Sequence, residues 1–410
     1  MGSFGPAGTP LEEWAIGHLR LIPDQYARLS LISTSVHPAN LGQFDDADHG
    51  IVGLTDIGFV LLSGSRRTTG SRHLHGETCT VEVGNLVTGI EYDDIDQELV
   101  VGASLHYLGL PKWMPGSVLT ESYSDEHPGG WDVSLRHQEA LTVRLEEGWL
   151  LHLQASWTMS GVGDARTYTT PLAVRTESDS REELGQHLVR LDAVNALLVL
   201  AHPEDVRAVS GFVRLTSDAR SGALWDRDFM RAGPQLGTNE FAIFGLEHLG
   251  GIEGVAGWVR LCLQHRRVVQ PLVRHRLFEA QSPESRLLAT CAAAEYWVSH
   301  HSKLRSDWAR GRKNYDIFPA LVTRVHPNFR EWISRPSEWS DLVWRRYSQL
   351  KHDPSWEVDP NEVAALELSA RWLLTAVLLN SCAESLEPGR QIFDNRLWQE
   401  RDWIQRTLFS

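Results

Sequence analysis

Arg345-Arg346-Tyr347-Ser348-Gln349-Leu350-Lys351-His352-Asp353-Pro354 closes a helical pattern near the C-terminus of the 410-residue chain. Apolar spacing from Ser340 onward is helical, Ser337 or Ser340 is placed to cap the helix, and Pro354 cannot continue it. An arginine and a histidine therefore sit near one helix end, whose carbonyls attract cations. Arginine keeps its charge and grips phosphate with a planar fork. Histidine can give or take a proton near neutral pH. Such a pair could act on a phosphodiester without a metal. Two arginines qualify, Arg345 with a gap of six residues and Arg346 with a gap of five. Arg346 is preferred. The spacing alone also fits a histidine that caps carbonyls beside a surface arginine.

Helical patterns flank this stretch. Ile252–Phe278 carries an apolar stripe of Val255, Trp258, Val259, Cys262 and Leu263, and Pro271 should kink or split it. Ser285–His301 is a second helix, with Ser282 as its cap and Pro283 in its first turn. It holds Glu295 within an apolar face, Ala292-Ala293-Ala294-Glu295-Tyr296-Trp297. Glu295 could orient the arginine–histidine motif across a bundle or pair with an arginine for structure alone. Asn361–Glu384 is a further helix, and a short one ends the chain.

The first part reads differently. Short alternating or apolar segments, punctuated by Gly, Asp and Ser, predict strands at His18–Leu21, Ala27–Ser33, Gly58–Leu62, Thr78–Val83, Glu98–Ser104, Ser134–Leu145 and Leu150–Met159. A helix is expected from Arg181 to Leu200, then strands at Ala208–Leu215 and Glu240–Phe244. The fold class is thus α+β and multidomain. A β-rich, sandwich-like domain of mostly antiparallel strands spans 1–250, and an all-α bundle spans 251–410.

Composition narrows the function. From Arg276 onward there are 18 basic and 18 acidic residues, leaving 21 against 35 before it, so the net charge of −14 belongs to the first part. That part is a poor candidate for attracting nucleic acid through its overall field. No run of about 18 apolar residues predicts a membrane span. The start of the chain lacks the basic and apolar regions of a signal peptide. Four scattered cysteines without a CxxC pair fit a reduced, cytoplasmic protein without structural zinc. Arg72-His73-Leu74-His75 with Cys79 lacks metal-site spacing. Asp45-Asp46-Ala47-Asp48-His49-Gly50 lacks the oxygen ligands of a calcium loop and reads as a polar turn. No phosphate-binding loop or dinucleotide fingerprint is present. No cofactor and no metal are expected.

Together, the glutamate-bearing helix, the arginine–histidine helix and the long closing helix resemble the HEPN superfamily of helical ribonucleases. Its hallmark is Arg, four to six residues, then His. Gly53-Leu54-Thr55-Asp56-Ile57-Gly58-Phe59-Val60-Leu61-Leu62, Val87-Thr88-Gly89-Ile90 and Leu110-Pro111-Lys112-Trp113 resemble the N-terminal domain of ApeA-like antiphage HEPN proteins. The resemblance implies a metal-independent RNA endonuclease in bacterial antiphage defence by abortive infection, with transfer RNA as a target. His352 would be the acid or base and Arg346 the phosphate clamp. Arg345, Glu295 and Tyr347 would support them. It implies a homodimer through the HEPN domain, and an N-terminal sensor triggered by phage infection, with a phage protein as the expected trigger. Lys303, Arg305, Trp308, Arg310, Arg312, Lys313 and Lys351 are candidate RNA contacts. The basic run also fits a solvated face. Many HEPN motifs place a small polar residue directly after the arginine, whereas Tyr347 follows Arg346. A non-catalytic RNA- or protein-binding module is therefore an alternative, as is a β-sandwich ligand binder with a helical dimerisation domain.

Overall fold

The computed structural model of the chain describes every residue except 22–25, 35–39, 45–49, 74–75, 92–98, 108–112, 115–118, 124–129, 137, 162–166, 203–205, 217–220, 227–241, 278–280, 354, 358 and 395–396. The chain divides into two compact units. One comprises Met1–Pro111, Gly116–Asp192 and Val206–Thr238; the other comprises Lys112–Pro115, Ala193–Asp205 and Asn239–Ser410.

The first unit is built on strands. In chain order they are β1 (Gly2–Pro6), β2 (Ala15–Arg20), β3 (Ala27–Thr34), β4 (Ile51–Thr55), β5 (Gly58–Ser63), β6 (Arg66–His73), β7 (Gly76–Val83), β8 (Asn85–Ile90) and β9 (Leu99–Tyr107). They continue with β10 (Leu119–Tyr123), β11 (Trp131–Leu135), β12 (Leu141–Glu146), β13 (Trp149–Ala155), β14 (Thr158–Ser160), β15 (Thr167–Thr169), β16 (Leu172–Glu183), β17 (Ala208–Arg214) and β18 (Ser221–Asp226). Fourteen of them pair in one continuous sheet, in the order β12-β13-β16-β9-β17-β18-β8-β5-β4-β1-β2-β3-β7-β6. The pairs β10–β11 and β14–β15 stand as separate two-stranded ribbons. Neighbours across the large sheet run antiparallel, for instance Ile51↔Leu62 between β4 and β5 and Ala27↔Val83 between β3 and β7.

Strands β1 to β5, β7 and β8 turn one face into a shared core. Phe4, Leu29, Leu31, Ile51, Val60, Leu62, Val81, Val83 and Leu86 bury there beneath Leu41 and Phe44. The alternation is that of a pleated sheet with one buried face. At Gly53 a side chain would collide with the Phe4 ring, 2.4 Å from its Cδ1, so glycine is what lets β4 lie flat against Phe4. At the other end of the sheet, β16 leads directly into α1 (Leu184–Ala201). The expected helix start at Arg181 is corrected: residues 181–183 finish the strand, where Glu182 and Glu183 pair with Val100 and Leu99 of β9. The α1 side of the sheet carries a polar knot. His187 Nδ1 meets Thr176 Oγ1 at 3.0 Å, and its ring tilts against Trp149 with centroids 4.6 Å apart. Arg190 lies 3.6 Å over the same Trp149 ring and pairs with Glu146. Burial lowers the His187 pKa to about 4, so this histidine folds neutral.

Three further expectations change. Ser134–Leu145 is not one strand but parts of β11 and β12, and Leu150–Met159 breaks into β13 and β14. Of Glu240–Phe244, Glu240 and Phe241 lie outside the described residues, and Ala242–Phe244 forms no strand. Ile243 still donates its backbone N–H to Ala201 at 2.7 Å. The polar turn at Asp45–His49 and the Leu74-His75 pair also lie outside the described residues. Helix α1 is long and apolar enough to cross a membrane, but 67% of it is buried inside the protein, as expected of a core helix.

The second unit is helical: α2 (Ile252–Gln264), α3 (Arg266–Leu277), α4 (Pro283–Lys303), α5 (Ile317–Val322), α6 (Asn328–Ile333), α7 (Pro336–His352), α8 (Pro360–Ala383), α9 (Glu387–Phe393) and α10 (Trp398–Phe409). The split expected at Pro271 falls instead at His265, whose φ of −128° and ψ of 47° end α2, and Pro271 sits inside α3. Ser282 caps α4 as expected, accepting from the Ser285 N–H at 3.3 Å. Neither expected serine caps α7. The helix opens on Pro336, and Ser340 Oγ donates back to the Pro336 carbonyl at 2.8 Å. Helix α8 is the axis of this unit, with sixteen of its residues buried between Val363 and Asn380. It includes the ion pair Arg371–Glu367 at 2.9 Å, both side chains less than a tenth exposed.

Candidate functional site

Two clamps fix the last two turns of α7. In the first, Arg346 Nε donates to both carboxylate oxygens of Glu362 at 3.1 Å, and Nη2 donates to Oε1 at 3.0 Å. Nη1 reaches Gln349 Oε1, one turn on, at 2.8 Å. The Trp356 ring lies 5.1 Å from the guanidinium carbon. The side chains of Arg346 and Glu362 are only 22% and 15% exposed. Glu362 is held in turn by its place in the first turn of α8, where Asp359 Oδ1 accepts from the Asn361 N–H at 2.9 Å and the Glu362 N–H at 3.4 Å. A carboxylate there is also favoured by the helix dipole.

In the second clamp, buried Tyr347 donates its hydroxyl to Glu295 Oε2 of α4 at 3.0 Å. Lys351 Nζ donates to that hydroxyl at 3.4 Å and lies 5.2 Å from the ring centre. Burial, with the Glu295 carboxylate beside it, pushes the Tyr347 phenol well above its ordinary pKa, so it stays a donor. Further up the helix, Trp339 Nε1 donates to Ser369 Oγ of α8 at 2.9 Å. Its ring packs edge-on against Phe318 of α5 and Phe329 of α6.

With α7 held this way, Arg345 and His352 are exposed. Seven residues of α-helix turn through about 700°, so Arg345 and His352 point within about 20° of each other. Arg346 and His352 are six residues apart, about 600°, so their side chains leave the helix some 120° apart. The two candidate arginines thus occupy different settings. Arg345 shares the solvent face of His352, and Arg346 is matched to Glu362.

The remaining candidates are spread out. Among the described residues Glu295 pairs with no arginine; it accepts from the Tyr347 hydroxyl. Lys303, the last residue of α4, and Arg305, Arg310, Arg312 and Lys313 beyond it are all exposed, and Arg305 takes a left-handed φ of 58°. Arg312 Nε donates to the Trp308 carbonyl at 3.1 Å. Trp308 is half-buried, its ring 5.0 Å from that of His301 and under the Arg324 guanidinium at 5.5 Å. It packs inward, which leaves the surface of this run to cations. Sequence reasoning missed Glu362, Gln349 and Trp356. Asp359-Pro360-Asn361-Glu362 carried the signal for the first, since an aspartate followed three residues later by a glutamate marks a helix start. Gln349 follows Arg346 by one helical turn. Among the described residues no three His, Cys, Asp or Glu side chains are grouped to hold a metal ion.

No curated protein and no solved structure matches the chain. A family model described as ApeA N-terminal domain 1 matches residues 4–250.

Proposed function

The chain belongs to the ApeA N-terminal domain 1 family, and from that premise we propose that its helical unit is a metal-independent RNA endonuclease serving antiphage defence. The family is associated with antiphage defence. The observation that carries the enzymatic reading is the exposed Arg345/His352 face at a helix end made rigid by the Arg346–Glu362 and Tyr347–Glu295 clamps. A site that must stabilise charge as it develops depends on side chains held in place beforehand.

In this reading the 2′-hydroxyl of the RNA is the nucleophile. A neutral imidazole removes its proton as the 2′-oxygen bonds to the adjacent phosphorus. The bond from phosphorus to the 5′-oxygen breaks, and a protonated imidazole returns a proton to that oxygen. The products are a 2′,3′-cyclic phosphate and a 5′-hydroxyl; no water or metal is consumed. Arg345 balances the added charge on the phosphoryl oxygens. Arg346 is a positioning residue, because its charge is already answered by Glu362. Each chain supplies one such histidine, so a homodimer with two motifs face to face would provide both base and acid. DNA lacks the nucleophile and would be spared. The exposed cations from Lys303 to Lys313 would attract the RNA backbone. Transfer RNA is the target class, and the β-rich unit is the sensor of infection.

The test compares purified wild-type, Arg345→Ala and His352→Ala protein on total bacterial RNA. Loss of cleavage in both variants, with folding intact, is expected; undiminished cleavage by His352→Ala would sink the reading. A second reading, a non-catalytic RNA-binding module, draws on the neutralised Arg346. It predicts that RNA binding and biological effect both survive in His352→Ala.

A further inference from the structure

The outer face of the β13–β16–β9–β17 part of the sheet, opposite α1, carries a second charged cluster. Register places His152 of β13 beside Arg175 of β16, and Arg175 opposite Ser104 of β9. Ser104 in turn faces Phe212 of β17, and Gly102 of β9 lies between Glu177 of β16 and Arg214 of β17. Glu177 stands at the centre. It forms ion pairs with Arg175, whose Nε lies 3.0 Å from one oxygen, and with Arg214, whose Nη2 lies 3.2 Å from the other.

This cluster is incompletely satisfied. His152 is 8% exposed, and its Nδ1 meets Thr142 Oγ1 at 2.9 Å. Its Nε2 is buried with no hydrogen-bond partner among the described residues, and Glu177 at 3.7 Å is beyond hydrogen-bond reach. Arg214 Nε is likewise buried and unpartnered among the described residues. A guanidinium has five N–H donors, and the Nε donor of Arg214 is spent on no partner among the described residues. Two guanidinium groups against one carboxylate leave a positive charge, on a part of the chain that is otherwise strongly acidic. Burial, with the positive charge of Arg175 nearby, lowers the His152 pKa, so its ring stays neutral and can donate from Nε2.

The floor between Glu177 and Arg214 is low. A side chain at Gly102 would stand 2.9 Å from the Thr176 carbonyl and 3.8 Å from Arg214 Nε. Strands β16 and β17 flank β9 at roughly 10 Å from each other, a width that suits a phosphoryl group or a flat ring over β9. Along the same face the rings of His106 and Phe212 stand 5.3 Å apart, and Phe212 is 42% exposed. An exposed aromatic ring beside unspent arginine donors is the combination that holds a base and a phosphate together.

We infer that this face is a nucleotide-binding site, with the phosphoryl group on Arg175, Arg214 and His152 and the base against Phe212 and His106. The site goes beyond the ribonuclease reading and stands whether or not that reading does, since every residue in it belongs to the β-rich unit. The experiment is isothermal titration of the full chain with AMP, GMP, CMP and UMP, and with inorganic phosphate and the four nucleosides as controls. At least one nucleotide should bind with a Kd at or below about 1 mM. Phosphate or nucleoside alone should bind at least about tenfold more weakly, and Arg214→Gln should weaken the nucleotide by roughly 10- to 100-fold. Should Arg214→Gln not fold, Phe212→Ala at the exposed ring decides, with an expected loss of about tenfold from lost stacking. No saturable binding of any of the four, or affinity unchanged in a folded Arg214→Gln or Phe212→Ala protein, overturns the assignment.

Discussion

Replacing Arg346 with alanine should loosen the helical unit, because Arg346 is bonded to Glu362 and Gln349. The substitution removes three contacts to Glu362 between 3.0 and 3.1 Å and one to Gln349 at 2.8 Å. It leaves the carboxylate of Glu362, 15% exposed, without its counter-charge. A hydrogen bond to a charged group contributes about 1.5–3 kcal/mol, and stranding one partner of a fully buried pair costs about 3–5 kcal/mol. This pair is only partly buried, so solvent recovers some of that, and the expected loss is about 2 kcal/mol. For a unit of this size that corresponds to a fall in Tm of about 4–8 °C. The assay is thermal and urea unfolding of wild-type, Arg346→Ala, Glu362→Ala and the double variant, followed by helical circular dichroism. The double-mutant cycle should return a coupling of about 1–2 kcal/mol. Arg345→Ala, at an exposed position, should unfold like wild type. A coupling indistinguishable from zero, or an Arg345→Ala protein as destabilised as Arg346→Ala, would refute the division of labour between the two arginines.

Other consequences follow from the packing. Trp339→Ala removes a fully buried ring and its bond to Ser369, and should cost about 3–5 kcal/mol in chemical unfolding of the helical unit; a loss under about 1 kcal/mol would mean the site collapses around the gap. Glu367→Ala strands the buried Arg371 and should cost about 3–5 kcal/mol, with Glu367→Gln recovering part of it. Gly53→Ala drives a methyl group into the Phe4 ring and should destabilise the β-rich unit by about 1–3 kcal/mol, read from its own unfolding transition. His187 and His301 both have pKa values lowered to about 4, chiefly by burial. The unfolded chain therefore binds more protons than the folded one between about pH 6.5 and 4, and stability is full above that window and falls as pH drops through it. In His187→Gln, the loss of Tm between those two pH values should be smaller than in wild type; an equal loss would show that His187 does not fold neutral.

The fold was most legible where one period ran long. Ser282 and Pro283 announced α4, and the apolar run from Val363 marked α8 to within a residue at each end. Strands with apolar alternation, such as β3 and β7, were also readable. Those missed were polar or glycine-bearing. Arg66–His73 has no apolar residue to reveal its alternation, and Asn85–Ile90 is too short to separate from a turn. Arg181–Glu183 fits a helical pattern, and pairing with β9 overrode it. Long-range pairing leaves little trace in local sequence. At the candidate site, the histidine and both arginines were visible as residue types at a helix end. Which arginine faces solvent was not, because that depends on Glu362, sixteen residues away on the next helix.

The most direct test of the central claim is the chemistry of the cut ends. Wild-type and His352→Ala protein would each be incubated with total bacterial RNA in EDTA, with and without extract of phage-infected cells, and the new termini identified. The account predicts cleavage by wild type alone, leaving 2′,3′-cyclic phosphate and 5′-hydroxyl ends. Cleavage that persists in His352→Ala, ends of any other kind, or intact RNA under both conditions would contradict it.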